Sequence, residues 1–575
     1  MRIHLRRILN FFNAFVFLNK FSDFNGSSED VECKNFNTIL LDISLIPIRT
    51  TSPCNRFIKF ITTNQTNSNM RNIGTKLLAL FLVVALLPAI ADSQDLESFE
   101  ENVTEFTLDN GLKFIVVERP VAPVVSFVTH VDVGGANEPI GHTGMAHIFE
   151  HMAFKGTDYI GTTNWEEEKK VIEELDQVYQ QWLQESYSPS PDSVRLEQLW
   201  TQFTELQEEA EEYVVNNEYS QIIDRNGGTG MNAGTGADLT IYYYSLPENR
   251  MELWFSLESD RFKNPVFREF YKEKQVVREE RRSRVESQPF GRLLEEFLAV
   301  AYTAHPYGSP VIGWNSDITA TTIEDAREFY NTYYVPSNIT IAIAGDVNAN
   351  EVREMAETYF GDLKEGPEAP PVYTKEPEQR GERRFNIQDQ SQPILLIGYH
   401  TVAQEHPDAK ALEILGSIIS SGRTSRLYKR LVEEEQLALT VQAFNGYPGT
   451  KFETMFLTYA LPNQGVEVDS LESAIHEEIQ KVKNGELTQE ELQRAKTNAR
   501  ANLVRSLDSN SGLAQAFAIT DGQQGDWRKV FTDIEELNEV TLDDLQRVAN
   551  TYFTKENRTV GSIVNQDNEE VADAN

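Results

Sequence analysis

Three side chains within five residues set the chemistry open to this chain. His147, Glu150 and His151 lie in Thr143-Gly-Met-Ala-His147-Ile-Phe-Glu150-His151-Met-Ala-Phe-Lys-Gly156. Histidines four apart on a helix project from one face, so both imidazoles can hold a single metal ion. A carboxylate beside that pair, not itself needed as a ligand, can take the proton from water activated by the ion. The bland alternative is a helix that merely carries two histidines. In a chain with nine His the pattern arises by chance in roughly one such sequence in a hundred. For the helix itself, Thr143 is placed to cap the start and Gly156 to end it.

The elements that position these groups must come from a large, acidic, nearly cysteine-free chain. At 575 residues it is too long for one ordinary core, so two or more domains are expected. A hydrophobic fraction of 40% and an aromatic fraction of 10% suit a folded protein. The formal charge of -37 argues against nucleic acid, whose phosphates demand clustered Lys and Arg. It reads more simply as solubility than as a site for a cationic substrate. Cys33 and Cys54 are the only cysteines. No disulfide framework, thiolate metal site or cysteine nucleophile is available after them, which leaves metal, hydroxyl or carboxylate chemistry.

Two unlike pieces meet at Met70. Residues 70–91 read as a signal peptide: Arg71 and Lys76 precede an apolar run over 77–87, and Pro88-Ala89-Ile90-Ala91 supplies small residues for cleavage. The run is shorter than the roughly 20 residues that cross a bilayer, so no stable membrane span is expected after cleavage. The expectation is a product secreted across the inner membrane, periplasmic or extracellular, that starts near Asp92. Residues 1–69 are expected not to belong to the native product, because a signal peptide opens its own chain.

The remainder falls into related halves. Residues 95–363 form a first domain, 364–384 a charged, proline-bearing linker, 385–566 a second domain and 567–575 an acidic tail. Thr322-Ile-Glu-Asp-Ala-Arg-Glu-Phe-Tyr-Asn-Thr-Tyr-Tyr recurs as Thr541-Leu-Asp-Asp-Leu-Gln-Arg-Val-Ala-Asn-Thr-Tyr-Phe. The offset is 219 (541 minus 322), and it also sets Asn338 over Asn557. A duplicated α+β domain is expected, each copy a mainly antiparallel sheet backed by helices. In the first copy, strands are expected over 112–118, after the turn Asn110-Gly111, and over 123–133 and 338–344; in the second, over 557–564. Residues 165–213 break the symmetry. Dense in Glu, Gln and Leu, with Pro189 and Pro191 at the middle, they predict a helical hairpin with a solvated face and no chemistry.

From about Phe99 to Val564 the chain resembles the inverted zincins, the family of insulinase, pitrilysin and the mitochondrial processing peptidase, and within it the bacterial secreted processing-peptidase-like members. His147-Ile-Phe-Glu150-His151 is the family's inverted motif, and Asn232-Ala-Gly-Thr235-Gly-Ala-Asp-Leu-Thr240-Ile-Tyr242-Tyr243 matches a second element. The resemblance implies a Zn2+-dependent endopeptidase with Glu150 as base and two domains that enclose a substrate chamber. It makes Asn232, Ala233, Gly234 and Thr235 an edge strand that pairs with extended peptide, a mode that reads backbone rather than sequence. A plain hairpin edge is the alternative.

The family takes its third ligand from a helix, delimited here by Asn264-Pro265 and Gln288-Pro289. Two glutamates seven apart serve there, the later on the metal and the earlier supporting it. Glu273 and Glu280 share a face, whereas Glu279 is turned away by about 100°. The resemblance therefore gives His147, His151 and Glu280 as ligands and Glu273 as support; ordinary ion pairing of Glu279 and Glu273 with nearby arginines is the alternative. The 129 residues between His151 and Glu280 (280 minus 151) exceed the family's usual spacing, and the hairpin accounts for the excess as an insertion looped away from the site.

One departure matters. Active members carry Arg and Tyr seven apart in the companion half, where they hold substrate and polarise its carbonyl. The matching positions here are Val432 and Leu439. Arg423, Arg426 and Arg430 are close in sequence only. A homologous partner subunit or dimer is therefore expected to supply the pair, with unfolded peptides or small proteins as substrate. The alternatives are a self-sufficient peptidase and a non-catalytic peptide-binding or scaffold subunit of a peptidase complex.

Overall fold

The computed structural model describes residues 102–565. The regions read as the leading 69 residues, the signal peptide and the acidic tail lie outside the described residues. Among the described residues no helix is long and apolar enough to cross a membrane.

The first half builds a six-stranded sheet from β1 (Val103–Thr107), β2 (Lys113–Glu118), β3 (Val124–Val131), β4 (Thr229–Thr235), β5 (Thr240–Pro247) and β6 (Ile339–Gly345). Its order is β1-β2-β6-β3-β5-β4, antiparallel except for β2 beside β6. The second half builds five strands, β7 (Arg383–Asp389), β8 (Ile394–His400), β9 (Ala438–Tyr447), β10 (Met455–Pro462) and β11 (Arg558–Asn565), ordered β7-β11-β8-β10-β9, with β7 parallel to β11. Without β1 the two orders superpose strand for strand. β7 begins at Arg383, inside the stretch read as linker.

Helices α1 (Met145–Met152), α2 (Trp165–Ser186), α3 (Ser193–Glu211), α4 (Phe270–Arg281), α5 (Pro289–Ala301) and α6 (Ile323–Tyr333) belong to the first half. Helices α7 (Asn510–Gln524) and α8 (Leu542–Tyr552) belong to the second. The duplication reaches individual hydrogen bonds. Thr322 caps α6 and Thr541 caps α8, each in a reciprocal box with the Asp three residues on. Asn338 donates to the carbonyls of Tyr333 (2.9 Å) and Asp132 (3.2 Å), and Asn557 to those of Tyr552 and His400 (both 2.8 Å). Each asparagine locks a helix exit to the start of the following strand.

β3 and β6 are buried almost throughout, which an antiparallel sheet with one wet face would not allow. The reason is an exchange of helices. α7 crosses from the second half onto β3 and β6, where Asp521 accepts from Lys113 Nζ (2.6 Å) and Thr340 Oγ1 (3.2 Å). Gly522 lies so close to His130 that a Cβ there would stand 2.2 Å from the ring. Burial against this helix pushes the His130 imidazole down to about 4. In return α5 crosses from the first half onto the second sheet, setting Leu293, Phe297 and Ala301 among Leu396, Met455 and Ile563.

Candidate metal centre

The first side-chain constellation is built on α1. The helix is short, and its start is fixed from outside: the buried carboxylate of Glu138 accepts from Gly144 N and Ala146 N, both at 2.7 Å. Burial pushes that carboxyl up to about 8 against the pull of these amides. Thr143 is not the cap. Its hydroxyl donates to Asp317 (2.8 Å) and accepts from Trp314 N (2.9 Å). Gly144 caps instead, at φ 90°, where an added Cβ would also stand 2.8 Å from the Ile312 carbonyl. The helix ends at Met152, before Gly156.

α4 also differs from its sequence bounds. Asn264 closes the preceding helix Met251–Lys263, Glu269 stands at φ 57° before Phe270, and Pro289 opens α5 rather than ending α4. Between Arg281 and Pro289 the chain makes a wider, π-type turn over Arg282–Glu286.

These two helices bring the expected ligands together. His147 Nε2 lies 3.6 Å from Glu280 Oε1, and His151 Nε2 lies 3.3 Å from Glu280 Oε2. One potential ligand atom from each residue falls within 4.8 Å of the other two, and among the described residues this is the one His, Cys, Asp and Glu group so arranged. Glu273 accepts from His151 Nδ1 at 3.2 Å. An ionised carboxylate can only accept, so Nδ1 carries the proton and Nε2 is left for an ion. Glu279 points away and pairs with Arg282 on the exposed side.

Without an ion the carboxylates act on the imidazoles directly. Burial opposes a charge on His151, but hydrogen bonds and charge from Glu273 and Glu280 outweigh it and push the ring up to about 9. For His147 burial prevails over Glu280 and Glu150, and its value falls. Burial likewise raises Glu280 and Glu273, yet their cationic partners leave both below the usual carboxylate range. Two imidazole nitrogens and one carboxylate, with the second histidine nitrogen held by a carboxylate, fit a divalent ion that keeps one position open.

Glu150, half-buried, stands near enough to His147 for its charge to act on that ring. Its charge acts on Tyr243, whose hydroxyl burial already raises and which accepts from Asn232 Nδ2 at 3.3 Å. Asn232, Ala233, Gly234 and Thr235 all lie on β4, the terminal strand, in register with Tyr243, Tyr242, Ile241 and Thr240. Three of the site's contacts escaped sequence reasoning. Glu138 caps from six residues ahead, Arg284 pairs with Glu280, and Lys155 pairs with Glu273 at 2.6 Å. Only Arg284 left a signal, four residues after Glu280 on one helical face.

The model of "Insulinase (Peptidase family M16)" matches residues 113–184 and 208–314, and that of "Peptidase M16 inactive domain" matches 320–499. The chain belongs to the insulinase (M16) family. Zinc protease PqqE of Helicobacter pylori is 29% identical over 496 residues, 84% of this chain and 97% of that protein. A probable mitochondrial-processing peptidase subunit beta of Schizosaccharomyces pombe is 24% identical, over 80% of this chain and 90% of its own. The crystal structure of a protease from Helicobacter pylori superposes with a TM-score of 0.66 at 29% identity, covering 80% of this chain and 99% of that one. The gap in the insulinase match, between 184 and 208, falls on the turn of the hairpin and most of α3.

In the companion half, Val432 lies in the wide turn Tyr428–Glu434 and Leu439 on β9, 53% exposed. Arg426 is committed to Glu491 at 2.7 Å, and Arg430 to Glu435, Glu477 and Glu478 at 2.7, 2.6 and 3.1 Å. Neither is free to stand in for the missing Arg. The glutamates of α4 should separate by role. Glu280→Gln should lose zinc, Glu273→Gln should weaken its binding about 10–100-fold, and Glu279→Gln should leave it unchanged. Metal analysis with chelator competition checks this; zinc loss from the Glu279 variant alone would place the ligand one residue earlier.

Proposed function

We propose that the chain is a zinc-dependent endopeptidase acting on unfolded peptides or small proteins, with a homologous partner subunit completing its active chamber. The observation that supports it most is the convergence of His147, His151 and Glu280 beside a carboxylate outside the ligand set, Glu150, near enough to act by charge on His147 and on Tyr243 of β5. When bound there, zinc supplies Lewis acidity, making water acidic near neutral pH and drawing charge from a carbonyl oxygen. The rest is the work of the chain. β4 adds the peptide as a further strand, which fixes the scissile bond along the edge. Glu150 takes a proton from the attacking water and delivers it to the leaving amine. Glu273 holds the His151 ring in one orientation. The test is cleavage of an unstructured peptide by the zinc-loaded chain, alone and with a homologous partner, before and after chelation. Cleavage that survives full removal of the metal would refute the reading.

A second reading has its own support. With Val432 and Leu439 where Arg and Tyr are needed, the chain could serve as a non-catalytic subunit that presents β4 to peptide. Peptide binding without turnover, in every partner combination, would favour it.

Export remains a proposal based on the segment around Met70. Envelope-derived protein should begin near Asp92, and amino-terminal sequencing that finds residues 1–69 in it would refute export by this route.

A further inference from the structure

The hairpin is not looped away from the site. The buried face of α2 reaches the back of the ligand helix α4, and its polar groups make two ties to that helix and one to Arg268 just before it. Glu168, fully buried, receives both Nε (2.6 Å) and Nη2 (3.0 Å) of Arg268, itself 1% exposed. Arg268 also donates to the carbonyls of Lys155 (2.8 Å), Thr157 (3.0 Å) and Ile160 (2.9 Å), the loop that follows His151. Asp176 accepts from the Tyr271 hydroxyl and from Ile323 N at 3.0 Å. Tyr179 donates to the Thr319 carbonyl (2.6 Å) and accepts from Lys274 Nζ (3.3 Å). Lys274 is 3% exposed, burial pushes its amine well below the usual lysine range, and the nitrogen lies 4.4 Å from the Tyr179 ring centre and 4.9 Å from that of Tyr271.

Around α4, Tyr271 lies about 160° and Lys274 about 100° from Glu273, whereas Glu280 lies within about 20° of it. The hairpin thus grips the side of the helix away from the metal. A carboxylate roughly 6 Å from a helix axis moves about 1 Å for every 10° of helix rotation. Metal–ligand distances tolerate about 0.2 Å. Rotation of α4 by a few degrees is therefore enough to spoil the site.

We infer that α2 sets the rotation of α4, making Asp176 and Tyr179 positioning residues for Glu273 and Glu280. The inference rests on the zinc reading given above. Directional hydrogen bonds from Tyr271 and Lys274 suit this role better than apolar packing, because their geometry specifies one angle where methyl groups allow several.

The test uses the full chain and reads metal affinity rather than turnover. Asp176→Leu and Tyr179→Phe should each weaken zinc binding about 10–100-fold in chelator competition and should change the visible spectrum of the cobalt-substituted protein. Leu199→Ala, on α3 and 7% exposed, removes hairpin packing without touching these ties. It should lower Tm at least as much as Tyr179→Phe yet leave zinc affinity and the cobalt spectrum unchanged. Unchanged zinc affinity in both brace variants, or losses in all three that simply follow Tm, would overturn the inference alone. A wild-type chain that takes up no zinc would overturn the peptidase reading and this inference with it.

Discussion

Glu150→Gln should keep zinc near one ion per chain while peptide hydrolysis falls by about 10²–10⁴-fold. Glutamine preserves the size of the side chain and removes its basicity. None of the three converging ligands is touched, since those atoms belong to His147, His151 and Glu280. Glu150 also stands outside the ion pairs that commit Glu273 to Lys155 and His151, so its removal leaves no buried cation unpaired. The loss should appear in kcat, with peptide affinity nearly unaltered because β4 is intact. Near-normal turnover, or a variant stripped of zinc, would take Glu150 out of this role.

The second large effect is expected from a partner. As hydrolysis proceeds the carbonyl oxygen gains negative charge, and one donor aimed at it is worth about 10²–10³ in rate. The family's companion Arg and Tyr are absent at Val432 and Leu439, and the nearby Arg426 and Arg430 are tied to glutamates of their own domain. The isolated chain should therefore bind zinc and cleave slowly. A homologous chain with the Arg and Tyr but no metal motif should raise the rate by roughly two to five decades, approaching the contribution of two such donors. An isolated chain already fast, and indifferent to every such partner, would refute this.

What could be read from sequence was local or periodic. The His-x-x-Glu-His run and the seven-residue spacing of Glu273 and Glu280 each lie within a few turns of one helix, where spacing alone decides which side chains share a face, and the repeat of Thr322 at Thr541 is a direct match of two segments. Helix ends were read less well, because their determinants sat elsewhere. Thr143 looked like a cap, yet Glu138 supplies the carboxylate from a separate turn. Asn264-Pro265 looked like a start, yet the chain needs a left-handed residue at Glu269 before α4 can begin. The hairpin was misplaced for a related reason. Glu168, Asp176 and Tyr179 count as polar in a periodicity argument, and only their partners, Arg268 just before α4 and Tyr271 and Lys274 on it, turn that polarity inward. The crossing of α5 and α7 left no local trace at all.

That crossing has a consequence for how the molecule comes apart. α5 and α7 stand at matching places in the repeat, since Pro289 shifted by 219 falls at residue 508, beside the start of α7. Each half lends the same helix to the other's sheet, as two copies do in a domain-swapped dimer. The covalent linker is then not what holds the halves together. A protease that nicks the irregular stretch before β7 should leave two fragments that still elute as one particle, separating only under denaturant. Fragments that part in plain buffer would show the exchanged helices to be weaker than their burial implies. If they stay together, the linker's task is to raise the rate at which the halves meet during folding, and the finished protein could be assembled from two separately made chains.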